Sequence, residues 1–330
     1  MSTYRICALG NSHIAAAKLG WDEIAAEFPD YAFDFFGFAP GTSVDFGNHV
    51  KVENGALVAT SDAVKNTFAM TSGGRQKIEG AAYSAFVMFG LGLGGPTGVR
   101  MVCSRHRPLE VAAPGAHLIS SAALKAAIEG RLRSDQALAP VRALRAISRC
   151  PIISQSIPAP TVNIIGDPEH ADDVSSVPGL LTRIRRVYDD LSVTIGDQET
   201  YKYLSQPPET LDETGLTRHE YIVDGVGMNS FKGGTKPRNT GHGNKAYGVI
   251  VMRQVLHELQ QAKLALGEAL KTTTTHEKGQ PMADPADKQA KANNRRVKAI
   301  RDRLKAMTEE RKKLMEELAA LGGAKTKAAK

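Results

Sequence analysis

Two kinds of apolar run alternate along the first 270 residues. Arg5 to Leu9, Ala32 to Phe38, Ala82 to Phe89 and Pro151 to Ile157 are short and nearly continuous. Runs of that length, bounded by Gly, Pro or Ser, predict strands buried on both faces. Between them the apolar residues recur at three- and four-residue spacing. Ile14 to Phe28 predicts a first helix, with Leu19, Ile24 and Phe28 inward and Pro29 ending it. Further helices are expected over Ser121 to Arg133, Ala137 to Ser148, Leu180 to Leu191 with more helix toward Leu204, and Ala246 to Leu270. Ala56 to Ala59 with Asn66 to Met70 suggests a small local hairpin, and Glu220 to Val223 a last short strand. Strand alternating with helix predicts a three-layer, flavodoxin-like α/β fold: a parallel sheet with helices on both faces. Ligands of such sheets lie beyond the carboxyl ends of the strands. Three loops fall there: Gly10 to His13, Ala39 to Ser43, and Gly90 to Gly95.

After Lys271 the pattern changes, so an α/β domain is expected over residues 1–271 and a polar linker over 272–284. Val297, Ile300, Leu304, Met307, Arg311, Leu314, Leu318 and Leu321 then follow a/d heptad spacing, broken by one basic residue at Arg311. This predicts a heptad helix (a coiled-coil extension) over 285–322, followed by a basic tail over 323–330. Antiparallel self-association through 297–321 would set Arg296 against Glu317 and Arg303 against Glu310. A hairpin against the 246–270 helix is an equal rival, and a solvated lone helix a third reading.

Charge follows the same division. The formal net charge is +7, yet the segment from Pro285 onward carries 14 basic and 6 acidic residues and accounts for all of it. The main domain is close to neutral, so nucleic acid is not an expected partner for it. Cys7, Cys103 and Cys150 are too far apart for a CxxC site or a disulfide framework, and the histidines show no metal-ligand spacing. Neither a metal nor a cofactor is expected. No run approaches the ~18 apolar residues of a membrane span, and the first residues lack a signal peptide's apolar core. The expectation is a soluble, cytoplasmic protein.

Candidate chemistry starts at Gly10-Asn11-Ser12-His13, where the first strand turns into the first helix. Such a turn lifts a serine hydroxyl clear of the sheet, and the helix start offers free backbone N–H groups. His242 lies far downstream, in Gly241-His242-Gly243-Asn244, just before the last helix. Together Ser12 and His242 make a candidate nucleophile–base pair. The plainer alternatives are that Asn11 or Ser12 caps the helix and that His242 is a loop histidine. His13 is expected to be structural or a substrate contact. Gly90 to Gly95 lacks the Gly-x-Gly-x-x-Gly spacing of a dinucleotide loop.

Taken in order, these loops resemble the four sequence blocks of the SGNH/GDSL hydrolase superfamily across about residues 4 to 260. Gly10-Asn11-Ser12-His13 is similar to the first block, with Asn11 where aspartate is usual. Gly37-Phe38-Ala39-Pro40-Gly41-Thr42-Ser43 is similar to the second, whose glycine supplies an N–H. Phe89-Gly90-Leu91-Gly92 stands where the third, Gly-x-Asn-Asp, is usual. Asn239-Thr240-Gly241-His242 stands where the last, Asp-x-x-His, is usual. The resemblance implies Ser12 as nucleophile, His242 as base, and an oxyanion hole from the Ser12 and Gly41 N–H groups with Gly92 at the third donor position. It also sets Asn239 in the place of the triad carboxylate. Asp224 is an alternative acid, and a Ser–His dyad a further alternative.

Two functions are open to such a chain. One is a serine esterase working through an acyl-enzyme on a small ester or an acylated carbohydrate. The other is a weakly active or inactive binding or scaffold protein that keeps the fold and assembles through its C-terminal helix. The residues at positions 92 and 239 are what separate the two.

Overall fold

The computed structural model describes residues 3–38, 41–43, 45–91, 106–108, 117–161, 180–227 and 241–276. Five strands form the central sheet: β1 (Tyr4–Gly10), β2 (Tyr31–Gly37), β6 (Ala85–Phe89), β9 (Ile152–Gln155) and β10 (Lys202–Leu204). Their order is β10-β9-β6-β1-β2 and all neighbours are parallel. Taken in chain order this is 2-1-3-4-5, the doubly wound arrangement whose direction reverses between the first and third strands. Gly10 lies opposite both Gly37 and Phe89, so the ends of β2, β1 and β6 are level at that point.

Alternation along each strand explains why the runs are apolar throughout. Ile6 and Ala8 face one layer while Cys7 and Leu9 face the other, and all four are buried. Val87 and Phe89 share the first side, Phe86 and Met88 the second. The first layer is built from α1 (Ile14–Ile24) and the last helix, α7 (Lys245–His276), through Trp21, Tyr247, Val251, Met252 and Val255. The second is built from α3 (Asp62–Ser72), α4 (Ser121–Leu132), α5 (Asp135–Ile147) and α6 (Leu180–Glu199). The expected three-layer α/β architecture is therefore the observed one.

Three local expectations are corrected. Asn66 to Met70 is the middle of α3, not a strand; its first turn opens at Ser61 and it ends on Gly73 in the left-handed region. The strand β4 (Ala56–Ala59) instead pairs antiparallel with β3 (Val50–Glu53) across Asn54-Gly55, both at positive φ, and on its other side with β5 (Lys77–Glu79). The helix that starts at Leu180 runs past Leu191 but stops at Glu199, and Lys202–Leu204 is the edge strand β10. Glu220 to Val223 is no strand; a single 3₁₀ turn, His219–Tyr221, stands there. A short helix, α2 (Phe46–His49), and a two-stranded pairing of β7 (His106–Pro108) with β8 (His117–Ile119) complete the described α-helices and strands.

Residues 1–264 form one compact unit and 265–330 another. Of the second, the structure describes only the helical backbone as far as His276; the heptad segment and basic tail lie outside the described residues. Among the described residues, no helix is long and apolar enough to cross a membrane.

Two glycines fix how the first layer meets. A Cβ on Gly248 would fall 1.8 Å from the Ala16 carbonyl oxygen, and one on Gly20 would fall 2.1 Å from the Gly248 carbonyl carbon. The backbones of α1 and α7 thus touch near the start of each helix. Ser12 lies just before α1 and His242 just before α7, so this crossing carries residues from opposite ends of the domain to one place.

Candidate active site

Ser12 follows β1 at the point where the sheet reverses direction. Four backbone hydrogen bonds shape its turn. The Asn11 N–H donates to the Phe89 carbonyl, those of Ile14 and Ala15 to the Asn11 and Ser12 carbonyls, and that of Phe38 to the Gly10 carbonyl. The Asn11 side chain adds two more. Its Nδ2 donates to the Gly90 carbonyl at 2.9 Å, and its Oδ1 accepts from the His13 N–H at 3.1 Å. Gly90 lies at φ 67, and a Cβ there would meet both Asn11 side-chain atoms within 2.8 Å. Asn11 therefore ties the serine turn to the end of β6, which an alanine at position 90 would obstruct. The Asn11 Oδ1 bond to the His13 N–H is a side-chain cap on the turn that opens α1, as the sequence allowed, whereas the His13 side chain makes no cap bond.

On the other side, His242 is held by the loop before α7. Asn244 is the anchor. Its Oδ1 accepts from the Tyr247 N–H, an N-cap bond, while its Nδ2 donates to the Glu220 and Val223 carbonyls. The Asn244 N–H donates to the Tyr221 carbonyl and the Val226 N–H to the Gly243 carbonyl. This places the backbone of Gly227 against the His242 ring, where a Cβ would come within 3.5 Å of it.

The two loops bring Ser12 Oγ to 2.7 Å from His242 Nε2, across a sequence separation of 230 residues. This is a full hydrogen bond between a hydroxyl and an imidazole nitrogen. Burial lowers the His242 pKa below its ordinary 6.5, so the ring is neutral at neutral pH and can take a proton. The His13 ring stacks on it, centroids 4.7 Å apart and 19° from parallel. His13 is itself pushed down to about 3, first by burial and then by the proximity of His242.

Among the amides of Asn11 to Ala15, that of Ser12 is the one for which no acceptor is seen among the described residues. It is the donor that an oxyanion at this turn would use. Gly41 lies in the loop after β2 at φ 82, exposed, with open space where a Cβ would be. Asp224 stands exposed at φ 57 in the loop before His242. Gly92 and Asn239 lie outside the described residues. Of the residues picked out from the sequence, the structure thus joins Ser12 to His242 and adds His13 as a stacking partner. Asn244 and the Gly20–Gly248 crossing were not anticipated. The Asn244 signal was present, since Asn directly before a helical run is a capping pattern.

No family model and no curated protein sequence matches the chain. Among solved structures it is similar to the periplasmic domain of a lipopolysaccharide acetyltransferase from Salmonella ser. Paratyphi A, at 13% identity over 78% of this chain and 84% of that one, TM-score 0.39. It is similar to a GDSL-like lipase from Bacteroides thetaiotaomicron at 10% identity, over 79% and 89% of the two chains, TM-score 0.35. It is also similar to a carbohydrate acetylesterase family member from Sinorhizobium meliloti at 10% identity, over 79% and 99%, TM-score 0.36. The fold and the site together define a doubly wound α/β protein with a serine–histidine pair at its switch point.

Proposed function

We propose that the chain is a serine ester hydrolase of the SGNH type, acting through an acyl-enzyme. The observation that carries this reading is the 2.7 Å contact between Ser12 Oγ and His242 Nε2, made at the one point of the sheet where the topology opens a crevice. A serine hydroxyl is a weak nucleophile until a base takes its proton, and a neutral imidazole at hydrogen-bond distance supplies that base. Ser12 Oγ attacks the ester carbonyl carbon as its proton passes to His242 Nε2. The carbonyl electron pair moves onto oxygen, where the Ser12 and Gly41 N–H groups receive it, with a backbone donor near Gly92 as the third. Collapse expels the alcohol, protonated by His242. Water then repeats the sequence on the acyl-enzyme and releases the acid.

Asn239 is the proposed orienting group for His242 on the side away from Ser12. A neutral amide fixes a tautomer but adds no charge to stabilise the imidazolium. A short acyl ester is the proposed substrate class, and an acetyl ester on a carbohydrate is the particular one the sequence resemblance implies. Hydrolysis of p-nitrophenyl acetate tests the reading. Wild type should turn over, and Ser12→Ala and His242→Ala should each lose at least about 10³-fold in kcat. Wild-type turnover unchanged by both substitutions would place the chemistry elsewhere. A folded chain with no turnover on a panel of acyl esters would favour a binding role for the same fold.

A further inference from the structure

The Ser12–His242 pair leaves one group beside it without a role. His13 Nδ1 is sealed from solvent and has no hydrogen-bond partner among the described residues. Two other buried polar atoms nearby are in the same state: Gln155 Oε1 at the end of β9, and the Tyr247 hydroxyl in the first turn of α7. Both residues are almost wholly buried, at 1% and 4% exposure. The Gln155 amide nitrogen is already committed, facing the Ser156 and Ser205 carbonyls, so Oε1 is the atom left over. His13, Gln155 and Tyr247 line a single small cavity, with Phe89, Ile157 and Gly243 closing it. It has room for about one water molecule.

A buried polar atom without a partner is costly, and three on residues that line one water-sized space fit an ordered internal water. Gln155 Oε1 can only accept, the tyrosine hydroxyl can do either, and a neutral imidazole nitrogen accepts or donates by tautomer. One water satisfies this set. On its other face the His13 ring stacks on His242, and its backbone is clamped by Asn11.

We propose that His13 is a positioning residue: held by a water shared with Gln155 and Tyr247, it forms a flat platform under His242 that keeps that ring facing Ser12 and shields it from solvent. The inference rests on the reading of His242 as the base, but the platform can be observed without any turnover. Among the described residues, the titratable groups facing the stacked pair are each other and, across the cavity, Tyr247. Through most of the accessible pH range His13 is uncharged, so the platform adds no like charge to the imidazolium formed during reaction.

The test is an NMR titration of the His242 ring in full-length wild type, His13→Ala and His13→Phe, with ester kinetics on the same samples. Phenylalanine keeps a flat ring and loses the nitrogens; alanine loses the ring. The His242 midpoint should move upward toward 6.5 in His13→Ala and stay near wild type in His13→Phe. The kcat should fall about 10- to 100-fold in His13→Ala with KM little changed, and recover with the phenyl ring. An unmoved His242 midpoint in a folded His13→Ala protein would overturn the proposal, as would a midpoint that phenylalanine fails to restore. If the midpoint shifts as expected but wild type hydrolyses no ester, the platform stands and the esterase reading fails. A crystal structure of wild type should show the water, and an empty cavity would remove that part of the account.

Discussion

The helix crossing that assembles the site can be perturbed with one methyl group. In Gly248→Ala the new Cβ would begin 1.8 Å from the Ala16 carbonyl oxygen and 2.6 Å from its carbon. That is roughly 1.5 Å short of a comfortable carbon–oxygen approach. Both atoms belong to helical backbone, so no side-chain rotation relieves the contact and α7 must move away from α1. Overpacking of this kind costs about 1–3 kcal/mol. The same movement draws His242 away from Ser12, and a misplacement near 1 Å costs on the order of 10²-fold in turnover. The 2.7 Å contact would open beyond hydrogen-bond range. Thermal unfolding should show a loss of several degrees, and p-nitrophenyl acetate hydrolysis a fall in kcat with a smaller change in KM. Gly130→Ala is the control. It lies on the exposed side of α4 with nothing within 4 Å of a Cβ, so it should stabilise by about 0.5–1 kcal/mol and leave activity alone. A Gly248→Ala protein with wild-type melting and turnover would refute the argument that the two backbones touch.

Other consequences follow from named residues. The acidic limb of the pH–rate profile should have its midpoint below 6.5, because His242 must be neutral to accept the Ser12 proton and burial favours that form; a midpoint at or above 6.5 would contradict it. His13 has a depressed folded-state pKa, about 3, so below 6.5 the unfolded chain binds the extra proton. Stability should therefore be fully present above 6.5 and decline as pH falls toward 3, by up to about 1.4 kcal/mol per pH unit from this residue. Denaturant melts of His13→Phe against wild type should show that slope reduced. Asn244→Ala removes a helix cap and two further hydrogen bonds, and should cost about 1–2 kcal/mol in a melt and lower kcat by loosening the His242 loop.

What could be read from the chain depended on how local the cause was. The runs Arg5 to Leu9 and Ala82 to Phe89 are apolar because both faces of those strands are covered, and that alone set the fold class. Ser12 and His242 were legible because the chemistry of a serine turn and a late histidine is local to each. Their meeting depends on Gly20 and Gly248, isolated glycines whose significance appears only when two helices 228 positions apart are seen in contact. Asn54-Gly55 is the reverse case: a strong two-residue hairpin signal that pairs β3 with β4, whereas apolar pattern alone suggests pairing β4 with Asn66 to Met70. The misread segment, Asn66 to Met70, carries Thr67 and Phe68 on its buried side, residues that suit strand or helix until tertiary contacts decide. The edge strand β10 has three residues, too few for any period to show. Positions 92 and 239, which would separate a fast enzyme from a slow one, fall outside the described residues.

The central claim is that Ser12 is a nucleophile activated by His242. The most direct measurement is reaction of the intact protein with a fluorophosphonate, in which a serine oxygen attacks phosphorus and fluoride leaves, followed by peptide mass spectrometry. The account predicts one adduct, on Ser12, absent from Ser12→Ala and strongly slowed in His242→Ala. A folded wild-type protein that forms no adduct, or forms it on another serine, would contradict it.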